Sequence, residues 1–286
     1  MKKMSLEEFN AMPVKAAVSK NAIPAMCTML LFLVYNLADT FFIGMTHDPL
    51  QLAAISLTTP LFTMFSAVSN IFGMGGTSVI SRAMGQKRTE YTKKVSSFCM
   101  WTATAIGIIL AAVLFIFAKP ILKVLGASQD TLQLAYSYLA IVAFSGPFSM
   151  ISGTFSKILT SEGQPKKAMI GISAGNLLNI ILDPIFILGF HWDVAGAALA
   201  TLISQIVAAG YYLWYFLSKQ SSLSIRIKDY SAKDKICSSV LAIGIPAALG
   251  SMIMGISVMV VNSLMSGYGD MALAGSGVAT KVAMVT

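Results

Sequence analysis

The chain has 286 residues, of which 56% are hydrophobic and only 11% charged. A soluble domain carries roughly 25% charged residues, so there is too little charge here to cover a water-facing surface. The net charge of +8 does not mark a nucleic-acid binder either, because the basic residues lie in short stretches between long apolar runs, where membrane proteins keep them.

The first apolar run comes after a polar N-terminal stretch in which Ser5 and Glu8 form a weak capping box, so a short interfacial helix is expected there. No small-residue cleavage site comes after the run, which fits a retained helix rather than a signal peptide. Spans are expected at 21–45, 53–80, 96–118, 131–158, 167–189, 194–217 and 237–266, and an eighth run begins at 272. The first seven are long enough to cross a hydrocarbon core of about 30 Å; the eighth stops at Thr286, too short to cross. With a cytoplasmic N-terminus, every Lys and Arg except Lys119, Lys123 and Lys281 falls on the inner side, as the positive-inside rule requires. Lys281 falls inside the eighth run.

The segment 218–236 is the longest charged stretch, and the residues after it echo the beginning of the chain. Ile23-Pro24-Ala25 has a counterpart in Ile245-Pro246-Ala247, and Leu52-Ala53-Ala54 in Leu273-Ala274-Gly275. Internal repeats of this kind mark transporters. The fold class is therefore all-α and polytopic. A six-helix transmembrane bundle is expected over 1–217 and a cytoplasmic linker over 218–236. The start of a second, repeat-related bundle is expected over 237–286, its remainder lying beyond a chain cut short at Thr286.

Two of the 12 acidic residues lie well inside apolar runs: Asp39 and Asp183. An ionised carboxylate in hydrocarbon is costly, so such residues are functional by default. At 1.5 Å of rise per residue, Asp39 lies roughly 27 Å and Asp183 roughly 24 Å from the inner face, with Thr201 at roughly 20 Å. Tyr35 and Asp39 are spaced i, i+4, as are Asn179 and Asp183, with Asn176 one turn earlier, so each pair shares a helical face. Pro184 lacks an N–H, which frees the carbonyl of Ile180. The set offers oxygen ligands suited to a hard cation; the paired acids serve a proton equally well. The position matching Asp39 in the second copy is Val261, next to Asn262, so the site is expected in the first bundle alone.

The segments YNLADTFFIG at 35–44, SRAMGQKR at 81–88, EGQPKKA at 162–168, NIILDPIFI at 179–187 and AGAALATLISQ at 195–205 resemble those of the multidrug and toxic compound extrusion (MATE) family. The resemblance covers essentially the whole chain. It implies two six-helix bundles facing each other across a central cavity, and exchange of Na⁺ or H⁺ for cationic or amphipathic drugs. It also implies a cation site made by Tyr35, Asp39, Asn179, Asp183 and Thr201, with no other cofactor. The implied function is a cation-coupled antiporter in the cell membrane, and the partners are small organic substrates and the lipid bilayer. No nucleic acid and no obligate protein partner are expected beyond the missing second bundle.

Three rival readings are weaker. A lipid-linked oligosaccharide flippase would carry basic residues in its cavity, and no Lys or Arg is expected deep in spans one to seven. An intramembrane enzyme would show a motif such as HExxH or GxSxG, and none is present, so the chain is not expected to be an enzyme. A non-transporting scaffold would not need two intramembrane acids. Among minor features, Cys27, Cys99 and Cys237 make no CxxC pair and read as small buried hydrophobes. His47 and His191, in short loops, are not expected to bind metal. Gly171 and Gly175 read as a helix-packing pair. Gly73, Gly75 and Gly76 lack the lysine of a phosphate loop. The 18 methionines read as filler, Pro24, Pro60, Pro147, Pro184 and Pro246 as kinks, and Trp101, Trp192, Tyr211, Tyr212 and Trp214 as interfacial anchors.

Overall fold

The computed structural model describes residues 13–218 and 221–283. The capping box at Ser5 and Glu8, Lys219 and the end of the eighth run lie outside them. The helices are α1 (Val14–Gly44), α2 (Pro49–Gly85), α3 (Thr89–Ile116), a short α4 (Ala118–Val124), α5 (Gln129–Ser161) and α6 (Pro165–Pro184). After them come α7 (Asp193–Leu217), α8 (Ile236–Ser266) and α9 (Asp270–Ala283). A π-helical turn, Ile185–Gly189, continues α6. Among the described residues 7 helices are long and apolar enough to cross a membrane, and they coincide with the seven expected spans. The chain is an all-helical, multi-pass membrane protein.

Local chemistry sets the helix starts. The Asp48 side chain accepts from the Leu50 N–H at 2.9 Å, and Pro49 opens α2. Ser128 and Thr131 form a reciprocal capping box at the head of α5. Helix α4 was not expected. Seven residues are too few to show a periodicity, but Ala118 and Leu122 bury against the core. The chain leaves it through Gly126 at a φ of 93°.

Helices α2 and α5 form the centre, with Leu57, Phe65, Phe155 and Leu159 almost fully enclosed. Gly146 has no side chain because the Phe65 ring lies against its backbone. Helix α1 packs on α6 at the periphery. Among its described side chains only Pro24, Asp39 and Ile43 are buried, while Met29, Leu30 and Phe41 are exposed. An apolar face of that length suits lipid, which makes the acid among its buried residues conspicuous.

Helix α8 lies along α2 at backbone-to-backbone distance. A side chain on Gly75 would strike the Val240 carbonyl, and one on Gly244 would strike that of Ile71. Polar contacts reinforce the seam: Asn70 donates to Ser251 Oγ at 3.0 Å and Asn262 to the Ser56 carbonyl at 2.6 Å. The glycines at 73–76 thus serve close packing. Helices α1 and α8 are each 31 residues long, with Pro24 and Pro246 the same distance from their starts.

The segment between α7 and α8 is strapped to the first six helices. Ser96 and Ser97 donate to the carbonyls of Ser224 and Arg226, both at 2.8 Å, and Trp101 Nε1 to that of Ile225 at 3.1 Å. The Glu162 carboxylate accepts from Ser221 Oγ, the Ser222 N–H and Ser222 Oγ. Trp101 is therefore a clamp as well as an interfacial ring. Tyr212 is fully buried rather than interfacial, and Cys27 is exposed on α1 rather than buried. In both cases the helix turned the residue to a face that span boundaries alone do not reveal.

Candidate functional site

Helices α6 and α7 approach through glycine. Gly171 lies under the Tyr212 ring, whose hydroxyl donates to the Ala168 carbonyl at 2.6 Å. A side chain on Gly175 would sit 3.1 Å from Ala208 Cβ. This closeness brings the polar residues of the two helices into direct contact. With its amide oriented to satisfy both neighbours, Asn179 donates to Asp183 Oδ2 at 3.0 Å and accepts from the Thr201 N–H at 3.1 Å. Asn179, Asp183 and Thr201 are 1%, 0% and 5% exposed, too little for water to stand in for missing partners.

Helix α1 delivers Asp39, 6% exposed, to the same place. Tyr35, one turn earlier, lies close to Thr201 and within electrostatic range of both carboxylates. All five residues singled out in the sequence thus converge. Asp39 Oδ1 and Asp183 Oδ1 are buried without a hydrogen-bond partner. Buried carboxylate oxygens left in that state are costly, and two of them facing one cluster fit a site that takes up a cation or a proton. The donor set is oxygen only. Directly after Asp183, Pro184 and the π-helical turn widen the helix, a feature frequent at functional sites.

Sequence reasoning missed two members of the cluster. Tyr138, from α5, lies within electrostatic range of Asp39, Tyr35 and Asp183. Lys281, from α9, places Nζ 3.1 Å from Asp39 Oδ2, with side-chain exposures of 17% and 9%. Its signal was present, since an intramembrane lysine calls for a partner just as an acid does.

A cavity of about 180 Å³ opens among α1, α2, α5, α6 and α7, beside the cluster. Tyr35, Asn70, Ser152, Lys157, Asn176 and Gln205 are among its lining residues, so Tyr35 borders both cavity and carboxylates. Lys157 corrects the expectation that no basic residue sits deep in spans one to seven. Its stem lies over Gly73, and its Nζ turns back along α5 to the Gly153 carbonyl at 3.3 Å, away from the nearer end of the helix. Among the described residues no acidic side chain lines this cavity.

Comparison with known proteins agrees with this architecture. The MatE family model matches residues 24–185. Over 282 residues the chain is 36% identical to the multidrug export protein MepA of Staphylococcus aureus, covering 99% of this chain and 62% of the relative. The MepA of Staphylococcus saprophyticus is 34% identical over the same coverage. Among solved structures, the inward-facing conformation of a multidrug resistance MATE family transporter of the MOP superfamily superposes with a TM-score of 0.84. It shares 26% identity, over 94% of this chain and 61% of that one. An outward-facing conformation of a transporter so described gives 0.86 at 26% identity, over 99% and 63%. The chain thus spans less than two thirds of the length of these relatives.

Proposed function

The chain belongs to the MatE family, and from that premise we propose that it is the first part of a cation-coupled exporter of small amphipathic or cationic organic compounds. In this reading the protein sits in the cell membrane with its N-terminus cytoplasmic. The observation that carries the reading is the convergence of Asp39 and Asp183, each with an unpartnered buried oxygen, on Tyr35, Asn179 and Thr201. The relatives are named as export proteins and transporters, which supports the transport class over an enzymatic one.

The coupling ion, Na⁺ or H⁺, is bound between the two carboxylates. Sodium draws on the Thr201 and Tyr35 hydroxyls as well; a proton needs only the acids. Coupling requires that the ion bind one conformation more tightly than the other. Helix α1 supplies the lever, because most of its surface is left uncovered by the other described helices and its buried residues near this end are Asp39 and Ile43. A change in the charge at Asp39 therefore acts on a helix that buries little of its own surface against the others. Tyr35 extends that change to the cavity wall.

The test is dye efflux from vesicles containing the full-length protein, with Na⁺ and proton gradients imposed separately. One gradient drives efflux, and Asp39→Asn and Asp183→Asn each reduce that drive at least about tenfold, the loss of one charge-dependent binding step. Efflux that persists in both variants refutes the coupling site.

A further inference from the structure

Two carboxylates in a low-dielectric cluster carry two negative charges when ionised, and such a site is stable only near neutrality. Lys281 alters that count. We propose that Lys281 is a specificity-determining residue of the Asp39–Asp183 site. Its ammonium group supplies one of the two positive charges that the carboxylates require, so that the site accepts one monovalent cation and rejects divalent ions. The inference rests on reading this cluster as the coupling site.

The geometry supports a fixed role rather than a passing contact. Lys281 Nζ donates to one oxygen of Asp39, and the other oxygen has no partner. One oxygen of Asp183 is also free. The ammonium therefore neutralises part of the cluster while leaving two carboxylate oxygens for an incoming ion. Its helix is anchored to α2. Leu273 is fully buried, and Gly277 lies so close to Ser56 that a side chain there would collide with its hydroxyl. Leu273, Gly277 and Lys281 recur every four residues, so one helical face both docks α9 and carries the charge. Asp183 on α6 also lies within electrostatic range of the ammonium, while Tyr35 on α1 and Tyr138 on α5 lie within range of the two carboxylates. Helix α2 has no charged residue but Arg82, in its last turn, and α8 has none. Among the described residues of these helices no other cation competes for the role at this level.

Charge counting then gives the selectivity. With Lys281 in place the ionised cluster has a net charge of minus one, which one Na⁺ or one proton cancels and a divalent ion overshoots. Without Lys281 a divalent ion matches it. Because α9 lies outside the first six helices, withdrawal of α9 and occupation of the site are linked reciprocally.

The test uses the full-length protein in nanodiscs, with Mn²⁺ binding measured by electron paramagnetic resonance. Lys281→Met, or Lys281→Gln should the first variant melt abnormally, is expected to bind Mn²⁺ at least about tenfold more tightly than the parent. That is the lower end of the effect of one opposite charge within about 4–6 Å. Lys281→Arg gains nothing, and adding Asp39→Asn to Lys281→Met abolishes the gain. Equal Mn²⁺ affinity in the parent and both neutral variants overturns the role of Lys281. If gradient-driven efflux by the parent still depends on Asp39, only this inference falls; if efflux ignores both gradients, the coupling reading falls with it.

Discussion

Replacing Glu162 by Ala tests whether the segment between α7 and α8 is bound to the first six helices. The Glu162 carboxylate, 7% exposed, accepts from Ser221 Oγ at 2.7 Å, the Ser222 N–H at 2.5 Å and Ser222 Oγ at 2.7 Å. A hydrogen bond to a charged group contributes about 1.5–3 kcal/mol. The three share one acceptor, and the freed hydroxyls reach water, so the sum is not realised. A net loss of about 3 kcal/mol is expected, or roughly a hundredfold in the local opening equilibrium. Hydrogen–deuterium exchange reads it directly: amides at 221–226 should exchange about a hundredfold faster, while those in the middle of α2 and α5 hold their rates. Glu162→Gln keeps an acceptor and should lose about 1 kcal/mol. Unchanged exchange at Ser222 in the alanine variant refutes the strap, and an equal rise throughout the chain means global destabilisation instead.

Two further substitutions test the packing. Gly75→Val should lower the melting temperature and cost about 1–3 kcal/mol, because its Cβ meets the Val240 backbone rather than a side chain that can turn away. Gly250→Ala, in the open on α8, should be neutral or stabilising. Equal behaviour of the two discards the backbone contact as the reason for glycine. Lys157→Met should leave the melting temperature unchanged or raise it, since the ammonium has a backbone carbonyl but no acid beside it to offset its desolvation. A marked loss of stability would show that the lysine is structural.

The proximity of the five candidate residues was legible because each is polar in an apolar run and their spacing is fixed by the helix. Tyr35 with Asp39, and Asn179 with Asp183, had to share faces, and counting rise per residue put Thr201 near the same depth. The partner of Lys281 was not legible in that way. Asp39 lies 242 positions away, and the two meet only because α9, which carries Lys281, is seated against α2. Tyr138 gave no signal, since tyrosines are ordinary at such positions. The strap was hidden for another reason: serine hydroxyls and backbone carbonyls make most of it, and neither has a sequence pattern. The π-helical turn after Pro184 was half legible, because proline announces a lost hydrogen bond but not how the next turn closes.

Helices α1 and α8, alike in length and in the place of their proline, carry different residues at matching positions. In α1 the position is Asp39, an acid left with a free oxygen. In α8 it is Val261, and its neighbour Asn262 donates to the Ser56 carbonyl, tying α8 to α2. Ser56 is also the residue against which Gly277 packs, one turn before Lys281. The turn of α2 around Ser56 therefore touches both α8 and α9, and the contact with α9 helps place the ammonium group beside Asp39. The charge of the candidate site is for this reason not a property of the first six helices alone. It depends also on α9 staying seated against α2, and on the proposed role of Lys281 a lifted α9 would leave the two carboxylates without their ammonium partner.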